Sequence, residues 1–233
     1  MKMGTVVRNR PQVDPEKLAL LQGFGVATVH EAIGRLGLMK PHMRPIFPAA
    51  AVAGNAVTVL VHPGDNWMIH VALELCRPQD LMVVAVSAEC TDGMVGELIA
   101  SSMLARGVKA LVIDAGCRDV AELTRMRFPV WSRAISAKGT IKATLGAVNV
   151  PVVCAGAQVC AGDAIVADDD GVVVVPHALV DAAIRAARDR VEREERKRAR
   201  LQAGELGIDI DQMRPALDKA GIHYYDTLED TEL

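Results

Sequence analysis

At 233 residues, 51% of them apolar, the chain can bury one substantial core, and a formal net charge of −3 with 24% charged residues argues against dedicated nucleic-acid or membrane-surface binding. Aromatic residues make up only 3%, so the core is aliphatic and stacking platforms for bases are scarce. Five cysteines (Cys76, Cys90, Cys117, Cys154, Cys160) are an odd number without the spacing of a zinc knuckle or a thioredoxin motif, which reads as reduced thiols in a cytoplasmic protein. No apolar run approaches the roughly 20 residues that span a bilayer, and MKMGTVVRNR has no apolar signal core, so a soluble, uncleaved chain is expected.

The first helical signal is Pro15 to Gln22, with Asp14 as its cap and Pro15 at the first helical position. Thr28-Val29-His30-Glu31 has the form of a capping box and predicts a second helix running to Gly37. Residues 51–61 (AVAGNAVTVLV) read as a strand, HPGDN as a turn, and WMIHVALELC as an apolar-rich helix. The same grammar repeats in the strand DLMVVAVS, a helix near Met94 to Arg106, and the strand Lys109 to Ile113. A short helix (VAELTRM), the strand FPVWS and the strand NVPVVC follow, and AIVADDDGVVVVP reads as a β-hairpin. The fold class expected is α/β: a single domain, residues 1–177, with a mixed central sheet flanked by helices.

Residues 178–200 predict a long helix, and 12 of the 16 residues from Arg185 to Arg200 are charged, so its second half projects beyond the core. With the tail GELGIDIDQMRPALDKAGIHYYD it forms a C-terminal helical extension, residues 178–233. The apolar residues and both tyrosines of that tail suit docking on a neighbouring subunit.

Arg118 and Asp119 stand side by side where the apolar run KALVIDAGC ends. Read alone, they are equally a helix-capping Asp with a surface Arg, or the ligand-facing end of a strand in an open α/β sheet. Gly96-Glu97-Leu98 precedes them by one helix and one strand, a crossover able to return a helix-start carboxylate to a strand end. A metal-binding carboxylate, a guanidinium for an oxyanion and a second carboxylate for proton transfer suit enolate chemistry. Asp168-Asp169-Asp170-Gly171 lacks the alternating ligands of a calcium loop and reads as a hairpin corner.

The Glu-X20-Arg-Asp arrangement of Glu97, Arg118 and Asp119, set in ECTDGMVGELIASSMLARGVKALVIDAGCRD, resembles the signature of the class II pyruvate aldolases that act on 4-hydroxy-4-methyl-2-oxoglutarate and 4-carboxy-4-hydroxy-2-oxoadipate. The likeness extends through TVHEAIGRLGLMKPHMRPI, HPGDNWMIHVA, FPVWSRAISAKGTIKATLGAVNVPVVCAG, GDAIVADDDGVVVVP and the tail. It implies a swivelling β/β/α-type fold shared with the non-aldolase regulators of ribonuclease activity A. It also implies Mg2+ or Mn2+ as cofactor, held directly by Asp119, with Glu97 reaching it through a water and Glu194 doing so from a neighbouring subunit.

By the same resemblance Arg118 contacts the keto oxygen of the pyruvyl group, and Gly96, Glu97 and the Leu98 backbone N–H bind the pyruvyl end. Asn66 is a further substrate-binding position, and His70 reaches the distal part of the substrate, although a lone His on a helix is more often an ordinary partly buried one. Glu31 has its structural task in the capping box first and a supporting place beside the site second. Small anionic 2-oxo acids are the expected substrates, in meta-cleavage breakdown of aromatic acids such as protocatechuate or gallate, with oxaloacetate decarboxylation as a side activity. The expected assembly is a trimer or hexamer, and no nucleic-acid or membrane partner is expected.

The rival readings are a non-catalytic regulator that binds an RNA-processing enzyme, and a methyltransferase. The latter needs a glycine-rich nucleotide loop after an early strand, and Gly23-Phe24-Gly25 lacks both the strand and the third glycine.

Overall fold

The computed structural model describes residues 2–231. Among them the backbone contacts divide the chain into two units, one ending at Arg188 and one beginning at Asp189. The first unit opens with β1 (Thr5–Val6) and α1 (Pro15–Ala32), followed by β2 (Arg44–Pro45), β3 (Val52–Val61), α2 (Trp67–Leu73), β4 (Asp80–Val86) and β5 (Gly93–Val95). It continues through α3 (Glu97–Ala105), β6 (Ala110–Cys117), α4 (Val120–Arg125), β7 (Val130–Ile135), β8 (Ala147–Val148), β9 (Val152–Cys154), β10 (Ala157–Val159), β11 (Ala164–Asp168) and β12 (Gly171–Val175). Helix α5 (Val180–Gln202) begins in this unit, and α6 (Gly207–Ile210) and α7 (Arg214–Ala220) follow in the second.

The sheet is mixed, as its alternating strands and helices predict. Strands β3, β4, β6 and β7 are parallel neighbours in that order, while β2, β8 and β11 join antiparallel to β7, β3 and β3. The parallel strands are apolar on both faces, as strands covered on both sides must be. Met82, Val84, Leu111 and Ile113 meet Met68, Ile69, Ala100, Met103 and Leu123 of α2, α3 and α4. On the opposite face Leu81, Val83, Ala110, Val112 and Trp131 pack with Cys154, Ala157 and Val159 of the β9–β10 hairpin. A third cluster seats Leu18, Leu21, Val26 and Val29 of α1 and Val180, Ala183 and Ile184 of α5 on Val166, Val173 and Val175.

The start of α1 is as predicted: Asp14 caps it and accepts the Glu16 N–H at 2.9 Å, with Pro15 first in the helix. The hairpin is also as predicted, with Asp168 paired to Gly171 across the corner Asp169-Asp170. The predicted helix start at Thr28 is corrected. The helix is interrupted three residues earlier, at Gly25 with φ 78°, and the acceptor for the restarting Val26 N–H is the carboxylate of Asp168, at 2.8 Å. The cap thus comes from the hairpin corner, and the helix ends at Ala32 rather than Gly37.

The second unit carries the most charged part of α5, and its ion pairs Arg190–Glu194, Lys197–Asp211, Arg200–Glu205 and Arg214–Asp209 lie within it. Among the described residues no helix is long and apolar enough to cross a membrane.

Candidate functional site

Strand β6 runs four residues past the predicted end at Ile113, through Asp114-Ala115-Gly116-Cys117, and so delivers Arg118 and Asp119 to the carboxyl ends of the parallel strands. The region read from sequence as one helix from Met94 is a short strand and then a helix. Strand β5 pairs with the end of β6, and the chain turns at Gly96 into α3. The two crossover ends therefore meet: the first turn of α3 lies against the Arg118–Asp119 corner.

Asp119 occupies the N-cap position of α4 but caps nothing there. Its backbone is left-handed, φ 59° and ψ 38°, a conformation Asp tolerates better than most residues yet still at a cost of about 1–2 kcal/mol. The Oδ2 atom reaches across to α3 and accepts the Glu97 N–H at 3.0 Å, and Arg118 Nε stands 3.8 Å from the same oxygen. Both readings of the pair are thereby narrowed: the aspartate is no ordinary cap of its own helix. Gly96 is required by close approach, because a Cβ at this position would lie 2.2 Å from Asp119 Oδ2 and 3.0 Å from Arg118 Cγ.

The side chains of Arg118 and Asp119 are 46% and 40% exposed, and they open onto a shallow depression of about 340 Å³ completed by Val120, Ile135, Ser136 and Ala137. Leu98, in the first turn of α3, is 80% exposed. Its N–H has no preceding helical carbonyl to meet, so it is a ready anion donor at the positive end of the helix. Glu97 is half-buried, and its Oε1 accepts the Ser101 hydroxyl at 2.8 Å.

Asn66 comes close to this set through Met94: its Nδ2 donates to the Met94 carbonyl at 2.9 Å, while its buried Oδ1 has no partner. Buried polar atoms are ordinarily hydrogen-bonded, and Asn66 Oδ1 shares this lack of a protein partner with Asp80 Oδ1 and Asn149 Oδ1. His70, four residues on along α2, is exposed rather than partly buried as its sequence setting suggested. Partial desolvation of its ring and the Lys142 charge hold its pKa below the usual value. Glu31 engages Arg35 at 3.0 Å near the end of α1, four residues along, so its part as a capping-box glutamate is not observed. Glu194 lies in the second unit, paired with Arg190 at 2.8 Å.

Among the described residues no group of three or more His, Cys, Asp or Glu side chains could hold a metal ion. The donor set at the corner instead fits a hard cation that retains most of its waters. Asp119 offers a half-exposed carboxylate whose Oδ1 takes no hydrogen bond from the protein, which suits a largely hydrated divalent cation and not a closed zinc cage.

Sequence reasoning missed two participants. Ser101 is signalled only by the Glu-X3-Ser spacing that puts both on one helix face. The 136–139 segment is signalled by little: Gly139 comes close enough that a Cβ there would lie 3.3 Å from an Arg118 terminal nitrogen, and Lys138 pairs with Asp92 at 3.0 Å.

The family description RraA-like: Aldolase/RraA matches residues 26–174, which include every element of this corner. The chain belongs to the Aldolase/RraA family. A relative from Halalkalibacterium halodurans, provisionally named a 4-hydroxy-4-methyl-2-oxoglutarate aldolase, is 28% identical over 172 residues, covering 73% of this chain and 82% of that protein. Among solved structures, RraAS2 of Streptomyces coelicolor, described as an unusual member of the RNase ES inhibitor RraA family, superposes with a TM-score of 0.74 at 25% identity. That match covers 82% of this chain and 99% of that one. An uncharacterised protein from Pseudomonas syringae also gives 0.74 at 25% identity, covering 92% and 100%. As an Aldolase/RraA member, the chain shares its fold with proteins named for catalysis and for inhibition, and the corner itself must decide between them.

Proposed function

We propose that this protein is a divalent-metal-dependent aldolase that cleaves 4-carboxy-4-hydroxy-2-oxoadipate to pyruvate and oxaloacetate, and 4-hydroxy-4-methyl-2-oxoglutarate to two molecules of pyruvate. The observation that carries this reading is the corner where Asp119, held in a left-handed turn, bonds the first N–H of α3 beside the Arg118 guanidinium. Names of relatives at 28% to 33% identity agree with it.

Leu98 N–H, at the α3 terminus, receives the substrate's pyruvyl carboxylate. Arg118 donates to the keto oxygen and stabilises the charge that collects there when the bond between C3 and C4 breaks. Glu97 accepts the C4 hydroxyl proton through a water, which turns the hydroxyl carbon into a carbonyl as the bonding electrons move to C3. Protonation at C3 then gives pyruvate. Asp119 would hold Mg2+ or Mn2+, and that ion supplies Lewis-acid stabilisation of the same developing charge. Oxaloacetate decarboxylation passes through the same enolate and is the expected side activity. Asn66 Oδ1 and His70 offer further contacts to the substrate, and Glu194 a contribution from a neighbouring subunit in a trimer or hexamer. The pathway that fits is meta-cleavage of aromatic acids in the cytoplasm.

The test is pyruvate release from 4-carboxy-4-hydroxy-2-oxoadipate, followed through lactate dehydrogenase, with Mg2+, with EDTA and in Asp119→Ala. Turnover that needs metal and disappears in the variant supports the reading. Folded, Mg2+-loaded protein inert toward this substrate and oxaloacetate overturns it. The likeness to RraAS2 favours the second reading in that event, a non-catalytic regulator of an RNA-processing enzyme.

A further inference from the structure

We infer that Ser101 is a positioning residue for the proton-transfer carboxylate: its hydroxyl fixes Glu97 in the one rotamer that serves the corner. This rests on the aldolase reading and adds a residue to it.

Glu97 begins α3 and Ser101 lies one turn later on the same face. A serine or threonine inside a helix commonly returns its hydroxyl to the carbonyl four residues back. Thr124 in α4 does so, bonding the Val120 carbonyl at 2.7 Å. Ser101 instead bonds the Glu97 carboxylate, Oγ to Oε1 at 2.8 Å. The acceptor chosen is the charged one, and a hydrogen bond to a carboxylate is stronger than one to a carbonyl that is already engaged.

The need for such a hold follows from the length of the side chain. A glutamate has three rotatable bonds, and a half-exposed one at a helix start samples many rotamers. The Glu97 backbone is already pinned, because its N–H is bonded to Asp119. With Oε1 taken by Ser101, the side chain is pinned at its other end as well. Oε2 takes no hydrogen bond from the protein and is left for a water or a substrate hydroxyl. Ser101 itself is half-buried on the next turn and is given no contact with the substrate; it acts through Glu97 alone.

Two conservative variants and one double variant test this by Mg2+-supported pyruvate release. Ser101→Ala is expected to lower kcat roughly ten-fold, the equivalent of one hydrogen bond to a charged group, with KM changed less than about two-fold because no substrate contact is lost. Ser101→Thr retains the hydroxyl and is expected to restore most of the rate. In a Glu97→Asp background the carboxylate is one methylene shorter and withdraws from Oγ, so adding Ser101→Ala is expected to change kcat by less than about two-fold.

Equal losses from Ser101→Ala in both backgrounds, or a loss that Thr fails to rescue, would assign Ser101 to helix packing and overturn the inference. So would a fully active Ser101→Ala. A wild-type protein that releases no pyruvate overturns the aldolase reading and this one together, whereas an active wild type confines any failure to Ser101.

Discussion

Asp65 and Asp119 both follow parallel strands of the same sheet, yet they are built in opposite ways. Asp65 is 2% exposed and both of its oxygens are engaged: Oδ1 accepts the Trp67 N–H at 2.9 Å, and Oδ2 accepts those of Ala143 and Thr144 at 2.8 and 2.7 Å. Asp119 is 40% exposed, sits on strained backbone, and accepts one N–H. A buried carboxylate with both oxygens committed to neighbouring amides is part of the scaffold, because little acceptor capacity and no access are left for a ligand. One that is held in place by a single bond, with its other oxygen turned over to solvent, keeps capacity for chemistry. Type and location in the fold do not separate the two; burial and the engagement of both oxygens do.

The comparison breaks first at Asp119. Asp119→Ala is expected to lower kcat for pyruvate release by roughly 10²–10³-fold with little change in the unfolding midpoint, and EDTA to do the same to wild type; a variant as active as wild type would make Asp119 a scaffold residue too. Gly96→Ala comes next. Its Cβ would collide with Asp119 Oδ2, so the carboxylate must shift by about an ångström, and kcat is expected to fall roughly 10- to 100-fold. Chemical denaturation of the same variant would separate a local displacement from a general loss of fold.

Asp65→Ala is expected to act the other way, costing about 2–3 kcal/mol of stability through the amides left buried without an acceptor, as read from urea unfolding. The pH dependence of this residue has a defined sign. Burial alone would raise its pKa, but the amides of Trp67, Ala143 and Thr144 outweigh that and hold the carboxyl below its ordinary 3.8. A depressed folded pKa gives stability that is present above about 3.8 and is lost as pH falls through the lower folded value. The urea midpoint should therefore drop between pH 6 and pH 3, and Asp65→Asn should lose part of that drop; an unchanged drop would remove Asp65 from the account.

The smallest effect concerns thiols. Cys76, Cys90, Cys117 and Cys154 are buried, and burial pushes the Cys76 thiol up to about 12 and raises those of Cys117 and Cys154 as well. Native protein should react with a maleimide at Cys160 alone, and in urea at all five, with mass spectrometry counting the adducts. Early labelling of Cys117, next to Arg118, would mean the corner opens.

Much of the architecture was legible because it rests on local signals. The alternation of apolar strands with helices, the Asp14-Pro15 start and the Asp-Gly hairpin corner each depend on a few adjacent residues. The pairing of Glu97 with Arg118 and Asp119 was legible because one helix and one strand separate them, and a crossover of that length returns the chain to the same sheet edge. What sequence could not supply were bonds between distant segments. Thr28 looked like a cap because the true acceptor, Asp168, lies far along the chain. The strand was read only as far as Ile113, whereas β6 continues through Asp114. That aspartate is in fact tied into the sheet by His42, Arg133 and the Ala155 N–H at 2.8 to 3.1 Å. Ser101 went unread because a serine in a helix carries no mark of which acceptor it will choose.

The break at Gly25 also bears on the order in which the molecule assembles. The acceptor for the Val26 N–H arrives 142 positions later, and β3 must wait for its antiparallel neighbour β11, more than 100 positions on. A chain leaving the ribosome exposes the second half of α1 and one edge of β3 until almost the whole first unit has been made. Such contacts between distant positions slow folding. A stalled or truncated product that ends before Ala164 would therefore present an uncapped helix and an open strand edge, and would be the form of this protein most in need of a chaperone.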